Sequence, residues 1–364
     1  MKVLFMVNLP SPYRAMFFAE LGKLCDLTVI YERESASDRD QRWKAKEENT
    51  YKTIFLKGKE IGTDNSFCPE VIKYLKKEKY DCYVVGMYST YTAMIAITYF
   101  QMKNIPFILS TDGGFVGRES KIKYSIKRHF IGAASNWLST SEKTNEYLVH
   151  YGAKINNIYF YPFTSLSEKD LQEARRLTEE SRKSIKCDLD IKEEKIVLAV
   201  GQFIYRKGFD LLIKAARDIP ENVGVYIVGG KPTEEYLNLA KDMHDRIHFV
   251  GFVEKKVIAN YYKCADVFVL PTREDIWGLV VNESLSYGTP CITTDMCGAG
   301  YALIKNGVNG YMVPANNSGE IAKKINALLA NESNEVRKIC IESVDNYTIE
   351  KMAQRHIEIF NSII

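Results

Sequence analysis

Two stretches of this chain open in the same way. Lys2-Val-Leu-Phe-Met-Val7 is an apolar run stopped by Asn-Leu-Pro-Ser-Pro and followed by a helix-like Met16 to Leu24 and a second run at Leu27 to Tyr31. Lys195-Ile-Val-Leu-Ala-Val200-Gly201 repeats the pattern, an apolar strand meeting a glycine and then a helix-like Asp210 to Arg217. After the first opening, apolar runs at Cys82 to Val85, Pro106 to Leu109 and Trp137 to Ser139 alternate with segments of helical period. After the second, Val225 to Val228, Ile247 to Val250, Val267 to Leu270, Pro290 to Thr293 and Gly310 to Val313 do the same. Short continuous apolar runs separated by helices are the pattern of parallel sheets covered on both faces. The expected fold class is α/β, with two Rossmann-like, doubly wound halves.

A length of 364 residues agrees with two domains at about 150 residues each. The halves are expected at 1–166 and 195–347, with a helix at about 348–364 packing back on the first. The highly charged 167–194 reads as an exposed helix and connector that carries little chemistry. Doubly wound sheets bind ligands at the carboxyl ends of their strands, so two such halves facing one another place function in the cleft between them.

Several classes of function are excluded at this stage. A net charge of +3 gives no reason to expect nucleic acid as a partner. The eight cysteines lack a CxxC pair or a zinc-ligand spacing, which points to buried thiols in a reducing compartment. The run Val3 to Val7 is too short for a secretory signal, and no stretch of about 18 apolar residues suggests a membrane span, so a cytoplasmic location is expected. Asp188-Leu-Asp190 matches a metal-binding triplet, but it stands in the charged connector and not after a buried strand. The five histidines are dispersed as well, so no metal site is expected.

The most informative segment is Pro271-Thr-Arg-Glu-Asp275-Ile-Trp-Gly278-Leu-Val-Val-Asn-Glu283-Ser-Leu-Ser-Tyr-Gly288-Thr-Pro290. A helix beginning near Gly278 or Leu279 puts Asp275 in the turn before it and Glu283 about one turn inside, so both carboxylates can face one ligand. The free amides of Gly278, Leu279 and Val280 could receive a pyrophosphate. Taken alone, two acids eight apart also describe an amphipathic helix with solvated carboxylates.

Context favours the ligand reading, because the segment resembles the acid-x7-Glu signature of the retaining glycosyltransferase family 4, "glycosyl transferases group 1". Asp275 stands where that family usually has Glu, followed by the matching Trp-Gly-Leu. Gly288-Thr-Pro-Cys-Ile and Ala299 to Tyr311 resemble the blocks that come next, in order and at similar spacing. Gly201-Gln-Phe-Ile-Tyr-Arg206-Lys207-Gly208 is similar to the family's Gly-Arg-x4-Lys-Gly loop, with Gln202 in place of an arginine and Arg206 as its substitute. His248-Phe-Val-Gly251-Phe252-Val253 resembles the strand-turn that frames the nucleotide base, although Phe252 and Val253 read equally as core residues after a strand.

The resemblance implies a GT-B fold and transfer of a sugar from a nucleotide-diphosphate sugar to a hydroxyl, with retention, in cell-envelope, exopolysaccharide, capsule or lipopolysaccharide synthesis. It implies Lys207 and Arg206 on the donor diphosphate, Asp275 on the transferred sugar and Glu283 on the ribose hydroxyls. No cofactor is implied; the donor is a substrate, with a UDP-sugar the first choice. The acceptor would be a glycan or a lipid-linked molecule. In the first half, Pro10-Ser-Pro-Tyr13-Arg14 and Thr111-Asp112-Gly-Gly114 each follow a strand. Asp112 stands where many members have a catalytic histidine, and it also reads as a simple turn aspartate.

Residues 118–130 interleave Arg118, Lys121, Lys123, Lys127 and Arg128 with Ile122, Tyr124, Ile126 and Phe130, a pattern that fits an anionic membrane surface or an ordinary solvated helix. Two other functions stay open: a sugar-nucleotide 2-epimerase of GT-B fold, and a non-catalytic sugar-nucleotide-binding partner.

Overall fold

A computed structural model describes residues 1–34, 50–61, 65–331 and 333–364. The chain divides into two compact units, one formed by 1–164 together with 349–364 and the other by 165–348.

The first unit runs β1 (Lys2–Val7), α1 (Pro12–Gly22), β2 (Asp26–Tyr31), β3 (Lys52–Phe55), β4 (Lys59–Ile61), β5 (Asn65–Phe67), β6 (Cys82–Val85), α2 (Tyr91–Lys103), β7 (Ile108–Ser110), α3 (Lys121–Ile131), β8 (Asn136–Ser139), α4 (Glu142–His150) and β9 (Ile158–Phe160). Its parallel sheet has the order β3-β2-β1-β6-β7-β8-β9, with β4 and β5 paired separately as an antiparallel hairpin. Every residue of β1 after Lys2 is buried, which is why that strand reads as an unbroken apolar run. Helix α1 starts four residues before the periodicity suggests, because Pro12 occupies a first-turn position that needs no N–H donor. Strands β3 and β9 were not expected: they lie at the sheet edges, β3 is largely exposed, and β9 is only the three residues Ile158 to Phe160, half-buried at its first two.

The second unit runs α5 (Glu168–Arg175), α6 (Glu179–Asp188), β10 (Lys195–Val200), α7 (Phe209–Ala215), β11 (Val223–Val228), α8 (Glu234–Ala240), β12 (Ile247–Val250), α9 (Lys255–Cys264), β13 (Val267–Leu270), α10 (Leu279–Ser286), β14 (Cys291–Thr294), α11 (Gly298–Leu303), β15 (Gly310–Val313), α12 (Ser318–Ala330) and α13 (Asn334–Ser343). Its parallel sheet has the order β12-β11-β10-β13-β14-β15. Val197, Ala199, Val225, Ile227, Val267 and Val269 form one core with Phe209, Leu212 and Ile325. Each Val, Leu, Ile or Phe side chain among them contributes about 1.5–3 kcal/mol by leaving water. The chain then returns to the first unit through α14 (Ile349–Ile363), which packs along α1.

The charged stretch 167–194 differs from the expected exposed connector. It forms α5 and α6 within the second unit. The Arg182 guanidinium of α6 is buried, 3.3 Å from Asp266 and from the carbonyl oxygens of Cys264 and Ala265. Asp266 in turn accepts the Ile196 N–H at 2.7 Å, so the pair rivets α6 to the amino ends of β10 and β13. A buried arginine inside a run of solvated charges leaves no local sign in the sequence.

Candidate functional site

In the second sheet the strand order reverses between β10 and β13, which makes the loops at their carboxyl ends the expected ligand position for this topology. Those two loops are 201–208 and 271–278. Gly208 lets them touch: its φ is +70°, and a Cβ there would stand 2.1 Å from the Pro271 carbonyl oxygen. The contact carries the next residue in with it. Lys207 Nζ donates to Asp275 Oδ2 at 2.5 Å, and Arg206 Nη1 lies 3.8 Å from Asp275 Oδ1 while donating to the Glu274 carbonyl at 2.7 Å. Lys207 and Asp275 are both mostly buried, whereas about half of Arg206 is exposed. The backbone of Asp275 is fixed from the opposite side, its N–H donating to Met296 O and its carbonyl accepting from Gly298 N.

Gly278, at φ +93°, turns the chain into α10. The adjoining Trp277 is buried, and its indole N–H donates to Asn282 Oδ1 at 2.9 Å, bracing that turn. Among the described residues the N–H groups of Leu279 and Val280 have no acceptor, so the helix start offers two free donors and the positive end of its dipole. Glu283 follows on the fifth residue of α10. It is half-buried instead of facing open solvent, with Ser165 Oγ donating to one carboxylate oxygen at 3.0 Å and Tyr262 OH to the other at 3.1 Å. Burial pushes its carboxyl above the usual range, against the opposing pull of Lys255 and of those two hydroxyl bonds.

The structure therefore brings Lys207, Asp275, Arg206, Gly278, Leu279 and Val280 to one end of one sheet, with Glu283 about a turn further along α10. Gln202 is exposed on the same loop as Lys207, and Phe252 and Val253 follow β12 on the far side of β11 from that pair. Asp112 belongs to the first unit, where Arg14 Nη2 donates to it at 2.7 Å and Tyr161 OH at 3.4 Å. Sequence reading missed Ser165, Tyr262, Asp210 and Arg273. The first two come from distant segments with no motif of their own, while Asp210 just follows the first loop and Arg273 lies inside the second, at positions to which neither motif assigns a role.

Residues 181–346 match the family model for glycosyl transferases group 1. Uncharacterized glycosyltransferase MJ1607 of Methanocaldococcus jannaschii is 32% identical over 143 residues, which cover 38% of this chain and 36% of that relative, so the match spans only about a third of its length. An uncharacterized 41.2 kDa protein in the cps region of Klebsiella pneumoniae is 23% identical over 330 residues, covering 85% of this chain and 87% of that one. Among solved structures, Anabaena Alr3699/HepE in complex with UDP aligns over 100% of both chains with a TM-score of 0.77 at 16% identity. With two doubly wound units and that likeness, the fold is GT-B. The stretch that matches the glycosyl transferases group 1 model lies within the second unit.

Proposed function

We propose that the chain transfers a sugar from a nucleotide-diphosphate sugar to a hydroxyl acceptor, with retention at the anomeric carbon and without a divalent metal. The observation that carries this reading is the Lys207–Asp275 contact at the β10/β13 reversal, beside the free amides of Leu279 and Val280. Lys207 and the α10 start supply positive potential where a diphosphate leaving group gains charge, the task a metal performs elsewhere. Asp275 orients the sugar and Glu283 accepts the ribose hydroxyls, in the places now taken by Ser165 and Tyr262. The acceptor hydroxyl attacks on the face from which the diphosphate departs, and its proton passes to that diphosphate.

A UDP-sugar is the favoured donor, in keeping with the UDP bound by Anabaena HepE. The cps-region relative supports a role in capsule or other cell-envelope polysaccharide synthesis. All eight cysteines are free, which suits a cytoplasmic enzyme, and no helix of the described residues is long and apolar enough to cross a membrane. Peripheral contact with anionic lipid through 118–130 completes the proposal. Ile122, Ile126, Lys121 and Lys123 are exposed there, whereas Lys127 is drawn inward by Glu119 and the Tyr151 ring.

Titration with UDP, GDP and ADP sugars identifies the donor, and proton NMR of the fresh product should show the donor's anomeric configuration with activity surviving EDTA. Inversion would overturn the retaining assignment, a strict metal requirement the electrostatic one, and binding of no nucleotide the whole reading.

A further inference from the structure

Arg273 lies on the second of the two loops and is bonded to the first. Its backbone N–H donates to the Arg206 carbonyl at 2.8 Å, and the same carbonyl accepts Thr272 Oγ1 at 2.9 Å. The guanidinium makes four further bonds: Nη1 to the Tyr205 carbonyl and to Asp210 Oδ1, Nη2 to Asp210 Oδ2, and Nε to Asn316 Oδ1, each at 2.8 Å. Tyr205 covers the group from outside, with its ring centroid 4.0 Å from Cζ. The Arg273 and Asp210 side chains are almost entirely buried. Burial alone would raise the Asp210 carboxyl, yet the Arg273 fork outweighs it and holds that carboxyl below its ordinary range.

We infer that Arg273, through Asp210, is a positioning residue that sets the distance between Lys207 and Asp275, and that it does not itself contact the donor. Tyr205 and Arg206, the residues whose carbonyls it holds, immediately precede Lys207. Arg273 itself stands two residues before Asp275. One planar group thus fixes both members of the 2.5 Å pair. Four of its five N–H donors are already used inside the protein, which leaves it without the open fork that a phosphate-binding arginine presents. Lysine at this position would keep the charge opposite Asp210 but could not hold Tyr205, Asp210 and Asn316 together.

This inference rests on the donor reading above, and calorimetric titration of UDP into the full chain tests the two separately. Arg273→Lys should weaken UDP about tenfold at unchanged stoichiometry, the loss of roughly one charge-assisted bond. In a Lys207→Ala background the same change should cost less than about twofold, because a residue acting through Lys207 has nothing left to position. Equal losses in both backgrounds, an unchanged affinity, or a reduced stoichiometry at unchanged affinity would overturn the positioning role. A wild-type chain that binds none of UDP, GDP and ADP would overturn the donor reading and this inference with it.

Discussion

Glu283 holds a charge that the fold does not favour. Its carboxyl is raised by burial, so ionisation at neutral pH costs stability, and any stabilising contribution is present at low pH and lost as pH rises through the raised value. Glu283→Gln should therefore leave the melting temperature unchanged or higher, while donor affinity falls about ten- to hundredfold with loss of a charged hydrogen bond. In the wild type that affinity should decline as the carboxylate is protonated on acidification, and the decline should vanish in the Gln variant. Lys207→Ala should weaken donor binding over the same range but without a comparable gain in stability. Calorimetry at several pH values checks these outcomes, and unchanged affinity in both variants would remove the central assignment. Asp275, Glu283 and Lys207 were legible as candidates because they sit in fixed-spacing motifs. Ser165 and Tyr262, which hold Glu283, were not, since each reaches it from a separate stretch of chain.

At the scale of elements, the central strands announce themselves and the edge strands do not. A strand such as β10, buried on both faces, must be apolar along its buried length, whereas the edge strands β3 and β9 set Ile54 and Ile158 against the core and tolerate polar or exposed neighbours. The α3 segment shows the same limit in a helix. Periodicity gave its basic and apolar residues, but only packing decides that Lys127 folds inward at 2.9 Å from Glu119 while Ile122, 74% exposed, points out. Salt-sensitive flotation with vesicles rich in anionic lipid is expected for the wild type, weakened by Ile122→Ser with Lys123→Glu. Absence of binding at low ionic strength would end the membrane proposal.

At the scale of the whole molecule, the chain ends by returning to the unit in which it began. Helix α14 brings His356 into an aromatic setting made by Phe5, Phe17, Tyr161 and Phe360, where its Nδ1–H donates to the Met352 carbonyl at 2.8 Å. Burial lowers its pKa from 6.5 to about 4. The depressed folded value means that the unfolded chain binds the proton more tightly, so stability present above about pH 6.5 is lost as pH falls toward 4, by about 3 kcal/mol in all. Urea midpoints measured between pH 7.5 and 4.5 should fall less steeply in His356→Phe than in the wild type. Parallel curves would exclude this coupling.

What the sequence determined by itself is local and periodic: the alternation of strand and helix, the two strand-one openings, and the spacing that puts Asp275 before a helix and Glu283 inside it. These follow from side-chain burial and helical period, which a single stretch of chain expresses without help. Strand order is different in kind. That β10 lies against β13, which alone brings Lys207 to within 2.5 Å of Asp275 across 68 residues, is written in no local pattern. The same holds for the burial of Arg182 and for the bonds of Arg273 to Tyr205 and Asp210. Such contacts depend on which strands pair and which buried surfaces meet when the sheet of the second unit assembles, and only the tertiary structure decides that.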